Sequence, residues 1–294
     1  MPVYQTFQAI GEREDLLDLI VNITPTETPF FTACKTGQAT GTFHEHQTDT
    51  LAAAATNAQV EGADATFPTL APTTRIGNYC QIMNKPFWVS HTMEAVSKAG
   101  RDSEYGYQAE KAMKELARDT EFELLRSTSA SGASGTARSL QGLFSWITTN
   151  TSTAASSRDL LEDLYNNMLQ TIFDSGGNPN VTYCNGFQKR QISNFTGPGG
   201  LARNIALADR KLVNAVDSYE SNFGLQTIIL DRHVPAAQIA LVEQALWRVA
   251  ILRATKHFPL PDDGGGPRGK IEHELTLESG NEAASGEVLN LTTS

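Results

Sequence analysis

The clearest apolar pattern in the chain lies in residues 102–127 and predicts one long helix. Apolar and small side chains recur there at spacings of three and four, which places them on one helix face. They are Tyr105, Ala109, Ala112, Met113, Leu116, Thr120 and Leu124. Asp102 or Ser103 is suited to cap the N-terminus, while Glu110 and Lys114 form an i,i+4 pair on the opposite, wet face. At about 1.5 Å per residue the helix is roughly 37 Å long, and we expect it to pack on a sheet as a spine.

A different pattern fills residues 36–90, where two stretches favour strands. Residues 37–51 and 73–90 are together rich in Thr, Phe, Ile, Tyr and Trp, which pleated sheets accommodate. The stretch between them, 52–72, is polar and rich in alanine. We expect a long hairpin with a soft tip. Because a hairpin with so little apolar surface is not stable alone in water, something must lie beside it.

A second helical pattern follows residue 158. Ser156 and Asp159 have the spacing of a capping box, and Gly176 ends the pattern. The apolar residues that share one face of this predicted helix are Leu160, Leu161, Leu164, Met168, Leu169 and Ile172.

Short strands predominate farther along the chain. The stretches that favour strands are 181–184, 225–231, 239–243 and 246–253. Asn185 is placed to cap a short helix over 186–195, and residues 211–220 are ambiguous between helix and edge strand. Residues 270–279 alternate cleanly, with Ile271, His273, Leu275 and Leu277 on one face. The mixture predicts an α+β fold.

The N-terminal residues 1–35 are typical of an extended arm. Apolar residues within 12–23 fit one short helix face, and Pro25 and Pro29 end it because proline lacks an amide donor and restricts its predecessor. No basic stretch followed by an apolar run opens the chain, so we expect no signal peptide. No apolar window approaches the length of a membrane span.

Composition narrows the functional classes. The formal net charge is -10 and basic residues form no patch, whereas proteins that grip nucleic acid by its phosphates usually carry one. Direct, tight DNA binding is therefore not expected. The three cysteines, Cys34, Cys80 and Cys184, are far apart and odd in number, which favours reduced thiols over a disulfide framework.

One stretch resembles a nucleotide-binding loop. Residues 264–270 match most of GxxxxGK, but Ile271 stands where the loop needs a magnesium-binding hydroxyl, and Pro267 removes a backbone donor. The stretch also precedes a strand, whereas the motif lies between a strand and a helix. We interpret it as a turn that enters a strand.

The remaining candidates for chemistry are isolated. His44 and His46 share a strand face but have no third or fourth metal ligand nearby. His233, beside Asp231 and Arg232, has no nucleophile elbow to serve it, and Ser134 lies in an incomplete GxSxG. Cys184 at a strand end is more commonly a buried structural thiol than a nucleophile. We therefore predict no catalytic, cofactor-binding or metal residues and no cofactor.

Five stretches carry a resemblance to a known family: TPTETPF (24–30), EYGYQAEKAMKELARD (104–119), ARSLQGLFSWI (137–147), YESNFG (219–224) and ELTLESGNEAA (274–284). Together with the order of elements, they resemble the major capsid proteins of tailed bacteriophages, which have the Hong Kong 97 fold, and more narrowly a podophage-type branch.

The resemblance implies a division of the chain into five parts. Residues 1–35 would be an N-terminal arm and 36–90 the extended E-loop. Residues 91–157 would be the peripheral (P) domain with its spine helix, 158–255 the axial (A) domain, and 256–294 a return to the P domain. Nothing near the N-terminus resembles a fused scaffolding domain.

The same resemblance implies a structural function rather than an enzymatic one. Copies would form the hexamers and pentamers of an icosahedral head that encloses double-stranded DNA, assembled in the host cytoplasm without a membrane. Expected partners are other copies, a portal protein, a separate scaffolding protein and a decoration protein. The alternatives are a hydrolase or nucleotide-binding enzyme with an oligomerisation arm, and a secreted or tail-fibre structural protein.

Overall fold

The computed structural model of the chain describes residues 27–98, 100–195, 217–262 and 264–293. The predicted arm helix over 12–23 and most of the ambiguous stretch 211–220 lie outside these residues.

The described residues form helices and strands in an α+β arrangement. The helices are α1 (Pro29–Ala33), α2 (His91–Ala95), α3 (Glu104–Arg126), α4 (Leu143–Trp146), α5 (Glu162–Asp174) and α6 (Gly186–Ile192). The strands are β1 (Lys35–Gln38), β2 (Phe43–Thr48), β3 (Thr74–Tyr79), β4 (Gln81–Trp88), β5 (Thr151–Ser152), β6 (Val181–Cys184), β7 (Ser218–Ser221), β8 (Gly224–Leu230), β9 (Ile239–Val242), β10 (Trp247–Leu260), β11 (Arg268–Ser279) and β12 (Gly286–Val288).

The first sheet has the strand order β1-β10-β11-β4 and carries α3 on one face. β1 runs parallel to β10, and the other neighbours are antiparallel. Leu116 and Leu124 of α3 belong to the same buried cluster as Ile271, Leu275 and Leu277 of β11. The alternation along 270–279 thus marks the strand face that meets the spine helix.

The opposite face of β11 is also covered, although its residues are charged. Glu274 is buried and accepts hydrogen bonds from Arg138 at 2.6 Å and Arg253 at 2.8 Å. Glu272 is likewise buried and pairs with Arg253 and Lys270. These cations compensate carboxylates that would otherwise be costly to bury.

The predicted spine helix is confirmed as α3, with one error in its buried face. Ser103 caps it, accepting a hydrogen bond from the Gly106 amide at 3.1 Å. Met113 was predicted to be buried but is 53% exposed, whereas Glu121 and Leu125 are buried. The buried arc is wider at the C-terminal half because α1 and α4 also pack there.

The second sheet has the order β5-β12-β9-β6-β8-β7 and packs against α5 and α6. The strand at 181–184 and the Asn185 cap are confirmed. The capping box at Ser156 and Asp159 is wrong, because α5 begins at Glu162 and Leu161 precedes it without a side-chain cap. Leu161 is consequently 64% exposed, and Tyr165, one turn later, fills the core instead.

The predicted hairpin is formed by β2 and β3, which pair antiparallel from Phe43 opposite Tyr79 to Thr48 opposite Thr74. Its two predicted strands are each divided. β1 and β4 belong to the first sheet, and only the middle portion projects as a hairpin. The division falls at buried Cys80, which lies between β3 and β4 and whose amide donates to Thr42 O at 2.8 Å.

Candidate assembly surfaces

The hairpin tip, residues 49–73, is the largest exposed feature of the described chain. Every residue in it is exposed and none lies in a helix or strand. The large apolar side chains open to solvent there are Leu51, Val60, Phe67 and Leu70, with Leu51 94% and Phe67 91% exposed. Burying such a side chain is worth roughly 1.5–3 kcal/mol. The tip is therefore a surface that gains stability from a partner.

The base of the hairpin is fixed to the first sheet. The rings of Phe43 and Tyr79 pack with centroids 4.5 Å apart, and His44 Nε2 donates to Glu278 Oε2 of β11 at 3.2 Å. Gly77 admits no side chain, since a Cβ there would lie 2.6 Å from His44 O. The tip thus extends from an anchored base.

The first sheet presents two different faces near the ends of β4, β10 and β11. Phe87 and His257 face α3, where their ring centroids lie 5.1 and 5.7 Å from that of Tyr105. Because successive side chains of a strand point to opposite faces, Trp88 and Phe258 point away from α3.

We call this second surface the basic–aromatic face; it consists of Trp88, Phe258, Leu260, Arg268 and Lys270. Trp88 is 60% exposed, and Phe258 and Leu260 are also exposed. The Arg268 guanidinium lies 4.6 Å from the Trp88 ring centroid, and Lys270 Nζ lies 5.6 Å from that of Phe258. Cations stacked on exposed aromatic rings suit a partner that is both apolar and acidic.

The segment that resembles a nucleotide-binding loop forms a turn before β11. The Gly266 amide donates to Asp262 Oδ1 at 3.1 Å, and Pro267 O accepts from the Val89 amide at 3.1 Å. Lys270 Nζ is bound to Glu272 Oε2 at 2.5 Å. A strand follows the turn, as the sequence predicted, and the Gly266 amide and the Lys270 ammonium, which would be needed to hold a phosphate, both have partners within the chain.

The other candidate residues do not form a catalytic arrangement. Asp231 Oδ1 accepts the His233 amide at 2.7 Å, while the His233 ring packs edge-on against Phe122. Burial raises the pKa of the Cys184 thiol to about 12, so the thiol stays neutral and is a poor nucleophile. Ser134 lies on the separate loop between Ala130 and Ser139.

Within residues 27–98, 100–195, 217–262 and 264–293, no group of three or more His, Cys, Asp or Glu side chains could hold a metal ion, and His44 and His46 belong to no such group. None of the described helices is long and apolar enough to cross a membrane.

Sequence reasoning missed a buried polar site that we call the arm junction, where Phe30 and Phe31 of α1 meet Glu121 of α3 and Asp231 after β8. Glu121 and Asp231 are both buried, and the Glu121 carboxylate accepts the Phe30 and Phe31 amides at 2.6 and 2.8 Å. The adjacent pair Leu124-Leu125 was the available signal, because two consecutive apolar residues indicate a wide buried arc.

Comparison with known proteins gives consistent relatives. The family model described as SU10 major capsid protein matches residues 3–292. The major capsid protein of Escherichia phage Phieco32 is 24% identical, over 97% of this chain and 96% of that protein.

Solved structures share the fold at low sequence identity. The capsid of a native GTA particle, computed with C5 symmetry, has a TM-score of 0.68 at 11% identity, covering 98% of this chain and 97% of the other. A structure of phage G gp27 major capsid proteins and gp26 decoration proteins has a TM-score of 0.61 at 9% identity, with 99% and 100% coverage.

The family match along nearly the whole chain agrees with the α3-bearing sheet, the second sheet and the projecting hairpin. The chain belongs to the SU10 major capsid protein family and has the Hong Kong 97-type fold of bacteriophage major capsid proteins.

Proposed function

We propose that this chain assembles into hexamers and pentamers of an icosahedral head that encloses packaged double-stranded DNA, and that it is not an enzyme. The observation that carries the proposal is the hairpin tip, whose large apolar side chains have no core of their own. Ordering such a segment costs conformational entropy, which contact with neighbouring copies offsets by burying apolar surface.

The five-part division of the chain belongs to the same proposal: N-arm 1–35, E-loop 36–90, P domain 91–157, A domain 158–255 and C-terminal return 256–294. The α3-bearing first sheet supports a P domain, and the second sheet supports an A domain. The two sheets divide the chain slightly differently from these five parts. β1, β4 and all of β10 pair in the first sheet, and β12 pairs in the second.

We propose that the tip of one copy docks on the basic–aromatic face of another. The only charged residues in the tip are Asp49, Glu61 and Asp64, whereas the basic–aromatic face carries Arg268, stacked on Trp88, and Lys270, which also pairs with Glu272. Apolar side chains on both surfaces and opposite charges satisfy the requirements for a specific contact.

The remaining partners follow from the same assignment. We propose a portal protein, a separate scaffolding protein and a decoration protein; the phage G structure that shares the fold contains decoration proteins. A formal charge of -10 suits enclosure of DNA without specific binding. Assembly would take place in the host cytoplasm.

Removing the apolar anchors of the tip tests this function. We expect the double variant Phe67→Ser and Leu70→Ser to keep the fold and thermal stability of the subunit, because both side chains are exposed, yet to lose most shell formation. Sedimentation velocity and negative-stain microscopy measure assembly, and circular dichroism measures folding.

The matched control is Thr66→Ser with Thr69→Ser, which alters the same tip without removing apolar anchors and should assemble like the wild type. Assembly by the Phe67/Leu70 variant at the wild-type level would contradict the proposal. Unfolding of the subunit by that variant would also contradict it, because the tip would then belong to the core.

A further inference from the structure

Segment 28–34, which contains α1, is held to α3 through its backbone. Glu121 Oε1 accepts the Phe30 amide at 2.6 Å, and Glu121 Oε2 accepts the Phe31 amide at 2.8 Å. These amides lie in the first turn of α1, where backbone donors have no partner within a helix. Thr28 precedes α1 but supplies no side-chain cap. The cap comes instead from Glu121, 91 positions beyond Phe30 in the chain.

The helical form of this segment depends on what it docks against. α1 has five residues, and a helix this short is not stable by itself in water. The Phe30 side chain is completely buried and belongs to the main core cluster. The segment therefore gains its structure from contacts with the rest of the subunit.

The same segment also contacts the second sheet. The Phe30 ring packs edge-on against that of Tyr183 on β6, with centroids 5.2 Å apart. Gln244, which follows β9, donates from Nε2 to Cys34 Sγ at 3.4 Å and accepts from Tyr183 Oη at 2.7 Å. Since β6 and β9 are neighbours in the second sheet, these contacts join the segment to one end of that sheet.

We propose that segment 28–34 is a staple between the two sheets, and that its docking sets their relative position. Glu121 ties the backbone of the staple to α3 and hence to the first sheet, while Phe30 fills the contact with β6 of the second. β1 begins directly after the staple at Lys35 and pairs with β10, which anchors it in the first sheet as well. The inference concerns a single subunit and does not rest on the proposed assembly.

Other links between the two sheets would let them shift without separating when the staple undocks. Arg126 of α3 donates to His233 O at 2.6 Å, and the Phe122 ring packs edge-on against that of His233. Arg126 and Phe122 are both exposed, so water competes for these contacts. The chain also passes directly from β9 in the second sheet to β10 in the first.

Pulsed electron paramagnetic resonance of the full-length, unassembled chain tests the staple. Nitroxide labels are attached through Lys114→Cys on α3 and Gln170→Cys on α5, two exposed positions. The native thiols are buried and therefore react slowly with the label. We expect Glu121→Ala and Phe30→Leu each to broaden the distance distribution between the labels and to displace its mean from the wild-type value.

Hydrogen exchange of the same variants shows whether the staple is docked. Amide protection of the peptide covering 27–34 should fall about tenfold or more in both, because local opening exposes that segment without global unfolding. Leu116→Ala is the matched control: it truncates another fully buried side chain, on the face of α3 that packs on β11. It should lower stability yet keep the wild-type distance distribution.

An unchanged distance distribution in either staple variant, with the segment undocked, would overturn the proposal. So would an equal broadening in Leu116→Ala, because general loosening of the core would then be responsible. Retained protection of 27–34 in either variant would show that Glu121 and Phe30 do not hold the segment. Global unfolding of either would place the segment in the core of the subunit rather than between its sheets. Because the chain is unassembled, these results are independent of whether it forms shells.

Discussion

The spine helix α3 carries a deeply buried side chain and solvent-exposed ones within two turns of each other. Leu116 is almost completely inaccessible to solvent and belongs to the cluster shared with β11, whereas Glu110 and Lys114 face solvent. Core side chains are densely packed, so removing one leaves a cavity as well as losing apolar burial. The same helix thus offers a stability probe and its control.

We expect Leu116→Ala to lower the free energy of unfolding of the unassembled subunit by about 2–5 kcal/mol. Glu110→Lys should change it by no more than about 0.5 kcal/mol, because exposed charges contribute little. Urea unfolding followed by circular dichroism measures both. A large loss in Glu110→Lys with none in Leu116→Ala would mean that the buried face of α3 is reversed.

A second prediction concerns acid sensitivity. Burial lowers the pKa of His273 from 6.5 to about 4, and the neutral ring is hydrogen-bonded to Thr120 Oγ1 at 3.0 Å. The unfolded chain binds the proton more readily in this window, so stability is lost as the pH falls from 6.5 towards 4. Between pH 7 and pH 5 the loss should be about 2 kcal/mol.

Urea unfolding at the two pH values checks this prediction, with His273→Gln as the variant that should lack the His273 contribution. Lys114→Gln is the control, because Lys114 is exposed and carries no imidazole, so this variant should lose stability on acidification as the wild type does. If His273→Gln loses as much stability as the wild type on acidification, buried His273 is not the source of the effect.

At the scale of elements, the sequence predicted correctly those helices, strands and caps whose signals lie within the element itself. The spine helix, β11, β6 and the Asn185 cap were predictable because spacing, alternation and capping are local. The division of the hairpin strands was not predictable. β3 pairs with β2 and β4 pairs in the first sheet, and this difference arises only in the folded chain. The predicted start of α5 was wrong for a similar reason, because tertiary packing places Tyr165 rather than Leu161 in the core.

The two predicted caps give an element-scale test. Ser103→Ala removes the acceptor of the Gly106 amide and should cost about 1 kcal/mol. Ser156→Ala should have little effect, because Ser156 is exposed and lies six residues before the start of α5 at Glu162. Thermal melting of the two variants separates them. A destabilised Ser156→Ala with an unaffected Ser103→Ala would contradict the placement of both helix starts.

For the whole molecule, the α+β class, the spine helix and the capsid fold were predictable, whereas the assembly surfaces were predictable only in outline. Thin apolar content indicated that the hairpin needs a partner. The basic–aromatic face and the arm junction could not be predicted, because each brings together residues far apart in sequence, such as Trp88 with Arg268 and Glu121 with Asp231. Those contacts depend on strand pairing that no local pattern specifies.

Electron microscopy combined with sedimentation velocity shows whether this chain builds a closed shell, as we propose. The chain is expressed alone and together with the other head proteins of its phage, across a range of protein and salt concentrations. We expect capsomers and closed shells tens of nanometres across. A stable monomer under all these conditions, with those partners present, would contradict it.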